Sequence, residues 1–73
     1  MIKVYYAAVN GKRKGKLYDS KEKAFEKLLR VLERKETDLM QEDISCIAEE
    51  VQEKGWFEAF NGKTYSIEEE RVF

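Results

Sequence analysis

The sequence predicts an α+β domain in which an antiparallel sheet of two hairpins packs against two helices, in the order ββααββ. Two observations predict this class. The hairpin turn pairs Asn10-Gly11 and Asn61-Gly62 interrupt strand-like segments near the two ends of the chain. Between them, apolar residues recur at helical spacing. A chain of 73 residues has room for one core, so residues 1–73 are expected to form a single domain.

The first hairpin begins with residues 2–9, IKVYYAAV, which alternate as a strand does. Asn10-Gly11 and Gly15 are turn residues that can adopt positive φ. Residues 16–18 are expected to return as a short second strand. The hairpin is therefore predicted to carry a basic loop, whose cations are Lys12, Arg13, Lys14 and Lys16.

The first helix is predicted to start after Asp19 and Ser20, both of which are good N-caps, with Glu22 at the capping-box offset from Asp19. It is expected to fade near Lys35. Its predicted apolar face consists of Ala24, Phe25, Leu28, Leu29, Val31 and Leu32.

The second helix is predicted to start at Thr37-Asp38, where Gln41 lies at the capping-box offset, and to end at Lys54-Gly55. Its apolar series is the clearest in the chain: Met40, Ile44, Ile47, Ala48 and Val51. One unbroken helix over 20–54 is the alternative. Two helices are favoured, because a single one is long for a globular domain and a second capping pattern is present.

The last hairpin is predicted from residues 56–60 and 63–68, which flank Asn61-Gly62. A two-residue turn would place Trp56 opposite Ile67 and put four side chains on the core face: Trp56, Phe60, Tyr65 and Ile67. The tail SIEEERVF could end in a helical turn, and a strand is favoured.

Catalytic chemistry is hard to build from this composition. There is no histidine, and the single cysteine, Cys46, therefore lacks a partner for thiolate activation. Gly11 and Gly15 do not form a phosphate-binding loop. The chain is accordingly expected not to be an enzyme and to need no cofactor or metal.

The single cysteine also bears on location, because it cannot form an intramolecular disulfide. The apolar start of the chain is too short for a signal peptide, and no run approaches a membrane span. We therefore expect a cytoplasmic protein that does not bind membranes.

Charge is divided unevenly along the chain. Residues 1–35 hold eleven Lys/Arg and four Asp/Glu, whereas residues 36–73 hold three Lys/Arg and eleven Asp/Glu. The cations of the first hairpin could contact phosphates, with Tyr6 or Tyr18 as a stacking surface. A solvated hairpin tip is the simpler interpretation, and it is favoured.

The segment YYAAVNGKRKGKLYDSKEKAFEKL resembles the opening of the viroplasmin family, the hybrid-binding N-terminal domains of some ribonucleases H. The residues that match are Tyr6, Ala7, Gly11, Lys12, Gly15, Tyr18 and Ser20. The family's stacking tryptophan is replaced by Lys21. The resemblance covers about a third of the chain and implies binding to RNA–DNA hybrids.

The whole chain also resembles small uncharacterised proteins of bacteriophages and their bacterial hosts, through KVYYA, YDSKEKA and YSIEEERV. This resemblance implies an inhibitor or adaptor of host machinery, anti-defence proteins among them, and a location in the host cytoplasm if a phage encodes the chain.

The predicted second helix adds a physical feature to that resemblance. At 100° per residue, a continuous acidic stripe lies opposite its apolar face, formed by Glu42, Glu49, Glu50 and Glu53 with Asp43 just beyond. Cys46 and Leu39 project near this stripe. Like charges at these spacings repel, so helix stability does not explain the stripe.

Two explanations are open. The basic first helix, with Lys23, Lys27, Arg30 and Arg34, could balance the stripe within the molecule, and this is favoured. Alternatively, the stripe could occupy a basic groove on a partner.

Three functional hypotheses follow. The leading one is a phage-type modulator that contacts a host protein, possibly one that binds nucleic acid, through Leu39, Glu42, Cys46, Glu49, Glu50 and Glu53. The second is a duplex or hybrid binder that uses Tyr6, Lys12, Arg13, Lys14, Lys16 and Tyr18. The third is a structural homodimer.

Overall fold

A computed structural model of the chain describes residues 2–34 and 39–72, and the predicted α+β class and element order are confirmed. The first hairpin consists of β1 (Ile2–Val9) and β2 (Lys12–Tyr18). The helices α1 (Lys21–Arg34) and α2 (Gln41–Lys54) follow. The second hairpin consists of β3 (Trp56–Glu58) and β4 (Thr64–Val72).

The four strands form one antiparallel sheet in the order β2-β1-β4-β3. The central strands β1 and β4 pair from Ile2 opposite Val72 to Val9 opposite Tyr65. The outer strands pair over shorter lengths. β2 pairs with β1 only from Tyr5 onward, and β3 pairs only with residues 64–66 of β4. The far ends of β1 and β4 therefore form a two-stranded ribbon in a molecule of 39 × 21 × 18 Å.

Both helices cover the same face of the sheet. α1 packs mainly over β1 and β2, and α2 packs over β3 and β4. The single core between them buries Ala7, Val9, Leu28, Val31, Leu32, Ile44, Ile47, Val51, Ala59 and Tyr65. The predicted apolar faces of the helices are confirmed at most positions, and Met40 is the exception because it precedes α2 and is exposed.

The helix ends follow local chemistry. The Ser20 hydroxyl accepts a hydrogen bond from the Lys23 N–H at 3.3 Å, as expected of an N-cap. α2 begins later than predicted, at Gln41, where the Asp43 carboxylate accepts from the Met40 N–H at 3.0 Å. The predicted start at 37–38 lies outside the described residues. Gly55 ends α2 as predicted, with φ of 90°.

The first hairpin corrects the prediction of a basic loop. Asn10 (φ 54°) and Gly11 (φ 80°) make a two-residue turn, so Lys12 already lies opposite Val9 in β2. The extra length of β2 is absorbed at Gly15 (φ 82°), near an irregularity in the pairing register. The cations therefore lie on an edge strand and not in a loop.

The second hairpin corrects the predicted core face. Trp56 lies opposite Ser66 and Phe57 opposite Tyr65, one position away from the expected register. The cause is a wider loop, in which the Gly62 N–H donates to the Ala59 carbonyl and the Ala59 N–H donates to the Lys63 carbonyl.

A shift of one residue turns every side chain of a strand to the other face. Trp56 and Phe60 are consequently 55% and 74% exposed, although both were predicted to lie in the core. Phe57 and Ala59 pack against the core instead. Tyr65 and Ile67 do face it, as predicted.

Candidate functional site

The outer face of α2 carries the acidic stripe predicted from the sequence. Glu42, Glu49 and Glu53 are exposed, and Cys46 is exposed among them. The opposite side of the helix buries Ile44, Ile47 and Val51, which fixes the rotation of α2 about its axis. We call the surface formed by Glu42, Cys46, Glu49, Glu50 and Glu53 the acidic face.

Within the acidic face, Glu50 has a cationic partner on its own helix. The Lys54 ammonium lies 2.9 Å from the Glu50 carboxylate, four residues earlier. This hydrogen bond and the negative charge of Glu50 raise the pKa of Lys54 above its usual value, with a smaller contribution from Glu53. Lys54 therefore stays charged and neutralises one end of the acidic face.

Leu39 does not belong to the acidic face. It lies before the first residue of α2 and packs, partly buried, against the core. The sequence placed it near the stripe by extending the helical period backwards, but the helix begins two residues later. The other predicted contact residues share one surface.

The two helices are not joined by ion pairs. Within residues 2–34 and 39–72, the ion pairs are Lys23 with Asp19 and Lys54 with Glu50, each between residues four apart. The proposed balance between the basic α1 and the acidic α2 is thus not made by direct contacts. Any internal compensation acts over longer distance, where solvent screens it.

The uneven charge along the chain becomes an uneven charge in space. Basic β2 is one edge strand of the sheet, and basic α1 packs over it and over β1. Acidic α2 packs on the same face of the sheet, over β3 and β4 at the opposite edge. Three further carboxylates on β4 add to the acidic side: Glu68, Glu69 and Glu70. The molecule therefore has one basic flank and one acidic flank.

A cleft of about 460 Å³ opens between the start of α1 and the end of α2. Its apolar lining comes from Phe25, Val51 and Ile67. Charged side chains also line it: Lys21, Glu22, Glu26, Glu53 and Lys54. Because Glu53 belongs to both, the cleft continues the acidic face.

This cleft was not predicted from the sequence. Glu22 and Glu26 are four residues apart on α1 and flank Phe25, a pattern that places two carboxylates beside one aromatic ring. What could not be foreseen is that the end of α2 would lie beside them. Only the packing of the two helices brings Glu53 to the same opening.

The residues of the nucleic-acid hypothesis are not gathered on one surface. Lys12 and Lys14 lie opposite Val9 and Ala7, which face the helices. Arg13 lies opposite Ala8 and therefore projects from the other face of the sheet. Tyr6 is on that other face as well, since side chains alternate along β1.

Tyr18, the second predicted stacking residue, already has a cation beside its ring. The Lys16 ammonium lies 5.7 Å from the ring centre, and the Lys21 ammonium lies 5.9 Å from the neighbouring Tyr5 ring. Tyr18 lies directly opposite Tyr5 on the helix side of the sheet. The tyrosines and cations thus pair with each other at the start of α1.

The described part of the chain contains neither a cluster of metal ligands nor a helix that could span a membrane. No group of three or more Cys, Asp or Glu side chains there is arranged to hold a metal ion. Neither α1 nor α2 is long and apolar enough to cross a membrane.

Comparison of the chain with known protein families, with curated proteins and with solved structures found no match. The resemblances noted in the sequence therefore stay hypotheses. The class of this protein is defined by its fold, a small α+β domain with one acidic flank.

Proposed function

We propose that this chain is a non-enzymatic binding protein that acts on a host protein through the acidic face of α2, as phage-type inhibitors and modulators do. The partner that fits is a protein with a basic groove, of the kind that binds nucleic acid. The observation that carries the proposal is that Glu42, Glu49 and Glu53 stand exposed on one helix face and form no ion pair with a cation of α1.

Electrostatics supports this choice of surface. Adjacent carboxylates on a helix repel each other, and Glu53 lies at the C-terminal end, where the helix dipole disfavours negative charge. A partner's cations would relieve both costs. Facing surfaces of opposite charge also steer the two proteins together and speed their association.

The neighbouring cleft supports a mixed mode of binding. Phe25 and Ile67 contribute to its apolar lining. Carboxylates outnumber ammonium groups in its charged lining, with Glu22, Glu26 and Glu53 against Lys21 and Lys54. A Lys or Arg side chain has the matching chemistry, with an apolar stem and a charged head. Such a side chain would add desolvated contact to the long-range attraction of the acidic face.

The nucleic-acid alternative has less geometric support. Lys12 and Lys14 lie together on one face of an edge strand and Arg13 lies on the other. Lysines on an edge strand also have a structural role, since they discourage pairing with other chains. A basic patch for phosphates usually lies on one surface.

The test is fluorescence anisotropy with two labelled probes, an Arg/Lys-rich helical peptide and an RNA–DNA hybrid. We expect the peptide to bind and the double variant Glu49→Lys/Glu53→Lys to lose most of that binding while remaining folded by circular dichroism. The matched control is Glu33→Lys/Glu58→Lys, which changes net charge equally at exposed positions away from the acidic face. It is expected to bind nearly as well as the wild type.

Equal weakening by both double variants would show that only net charge matters and would contradict the proposal. Binding of the hybrid that is lost when Lys12, Arg13 and Lys14 become Ala would favour the nucleic-acid hypothesis instead. A pull-down from host lysate, with and without nuclease, would then identify the partner of the wild type that the Glu49→Lys/Glu53→Lys variant fails to retain.

A further inference from the structure

The ribbon formed by the far ends of β1 and β4 leaves one edge of β4 unpaired. β3 pairs with β4 only at 64–66, and beyond it the Ile67 N–H still donates to the Gly55 carbonyl at 3.0 Å. In an antiparallel strand, alternate residues direct their backbone groups to the same side. Glu69 and Arg71 therefore direct N–H and C=O to the β3 side, where no described residue pairs with them.

The two outer edges of the sheet differ in how they are protected. β2 carries four cations and a register irregularity near Gly15, which are devices that prevent strands of other molecules from adding. The β4 edge at Glu69 and Arg71 is a regular continuation of a nine-residue strand. Beyond β3, this free edge of β4 is a place where a further strand can add.

Arg71 has a like charge directly opposite it in its own molecule. Across the β1–β4 ladder it lies directly opposite Lys3, and Glu69 lies opposite Tyr5. Like charges directly opposite each other destabilise a sheet. A strand that placed a carboxylate on the other side of Arg71 would offset this repulsion.

We propose that the free edge of β4 pairs antiparallel with the same edge of a second copy of this chain, so that Glu69 of each copy lies opposite Arg71 of the other. The two-fold axis passes between the two copies of Glu70. Glu69 and Arg71 of each copy direct their backbone N–H and C=O groups towards the other copy. Each pair then exchanges two N–H···O bonds, and each Arg71 gains a carboxylate neighbour.

The charges select this register over its neighbours. If the axis lay at Glu69, the two copies of Glu69 would lie opposite each other. If it lay at Arg71, the two copies of Arg71 would do so. Only the axis at Glu70 makes opposite-charge pairs on both sides. It leaves the two Glu70 side chains facing each other, and this like-charge contact lowers the affinity of the dimer.

This inference is independent of the proposed function, because the acidic face of α2 contributes no residue to the free edge. Sedimentation equilibrium from micromolar to near-millimolar concentration tests it. We expect a reversible monomer–dimer equilibrium in the wild type. Arg71→Glu should weaken the dimer by roughly tenfold or more, since both cross-strand pairs become repulsive.

The charge-swapped variant Glu69→Arg/Arg71→Glu restores opposite charges in the same register, so it should recover the wild-type equilibrium. Glu70→Gln removes the like-charge contact on the axis and should tighten the dimer. A wild type that stays monomeric throughout, or a dimer that Arg71→Glu leaves intact, would overturn the proposal.

A covalent test fixes the register. In a Cys46→Ser background, Glu70→Cys should form a disulfide-linked dimer on mild oxidation, because facing residues that exchange no hydrogen bonds have Cα atoms about 4.5 Å apart. Glu68→Cys is the control, since its two copies would lie roughly 13 Å apart along the strands. Absence of the Glu70→Cys dimer, or equal cross-linking by Glu68→Cys, would contradict this register.

Discussion

Asn10 and Thr64 join the two hairpins by a pair of hydrogen bonds. The Thr64 N–H donates to the Asn10 side-chain carbonyl at 2.9 Å, and the Asn10 N–H donates to the Thr64 carbonyl at 2.7 Å. The same asparagine holds the left-handed conformation of the first turn. One residue thus closes its own hairpin and attaches it to a strand 54 positions away.

Asn10→Ala should lower the free energy of unfolding by about 1–2 kcal/mol, because it removes the side-chain acceptor and places a non-glycine, non-asparagine residue at positive φ. Asn10→Gly is the matched control, since it loses the acceptor but tolerates the turn. Urea unfolding should rank the wild type first, then Gly, then Ala. If Ala and Gly cost the same, the turn conformation contributes nothing measurable.

Ile47→Ala should lower the free energy of unfolding by about 2–5 kcal/mol, because Ile47 is 1% exposed in the core. The core of a domain of this size supplies a net stability of only about 3–5 kcal/mol, so much of the variant should be unfolded at 25 °C. The same substitution at Ile2, which is 65% exposed, is the control and should stay within about 0.5 kcal/mol. Thermal melts followed by circular dichroism measure both, and similar melting temperatures would contradict the assigned core.

Trp56 reports on the register of the second hairpin, because it is the only tryptophan of the chain. With Ser66 opposite it, the indole is largely exposed and should show the red-shifted emission of a solvated ring. Acrylamide should quench it nearly as well in the native as in the unfolded protein. Blue-shifted, protected emission would instead support the register with Ile67 opposite Trp56.

Lys23 lies 3.0 Å from Asp19 and lowers the pKa of that carboxyl, first by a side-chain hydrogen bond and then by its charge. Because the folded-state pKa is the lower one, the pair stabilises the fold above the ordinary Asp pKa. That stabilisation is lost as pH falls through the lowered value. Both groups are exposed, so the effect on stability is small.

An NMR titration of the Asp19 carboxyl measures this shift directly. Lys23→Gln should raise the pKa of Asp19 towards its ordinary value. Lys21→Gln is the control, because the Lys21 ammonium lies over the Tyr5 ring and not beside Asp19. This substitution should leave the pKa of Asp19 unchanged. Equal pKa values in the wild type and Lys23→Gln would show that the ion pair does not form in solution.

The sequence by itself determined the features that depend on neighbouring residues. Helical spacing and capping chemistry identified both helices, Ser20 as one of two candidate caps, the stop at Gly55 and most buried positions, because these depend on contacts within a few residues. The acidic face followed from the same periodicity. The start of α2 and the position of Leu39 were predicted less well, since the end of a periodic pattern does not mark the first helical residue.

The tertiary structure alone decided the features that depend on a second strand or helix. Strand length and facing are set by pairing, so the extension of β2 to Lys12 and the outward turn of Trp56 could not be obtained from alternation within one segment. The cleft beside Glu53 required two helices to meet. The free edge at Glu69 and Arg71 exists only because β3 is shorter than β4, a relation between strands that no local pattern contains.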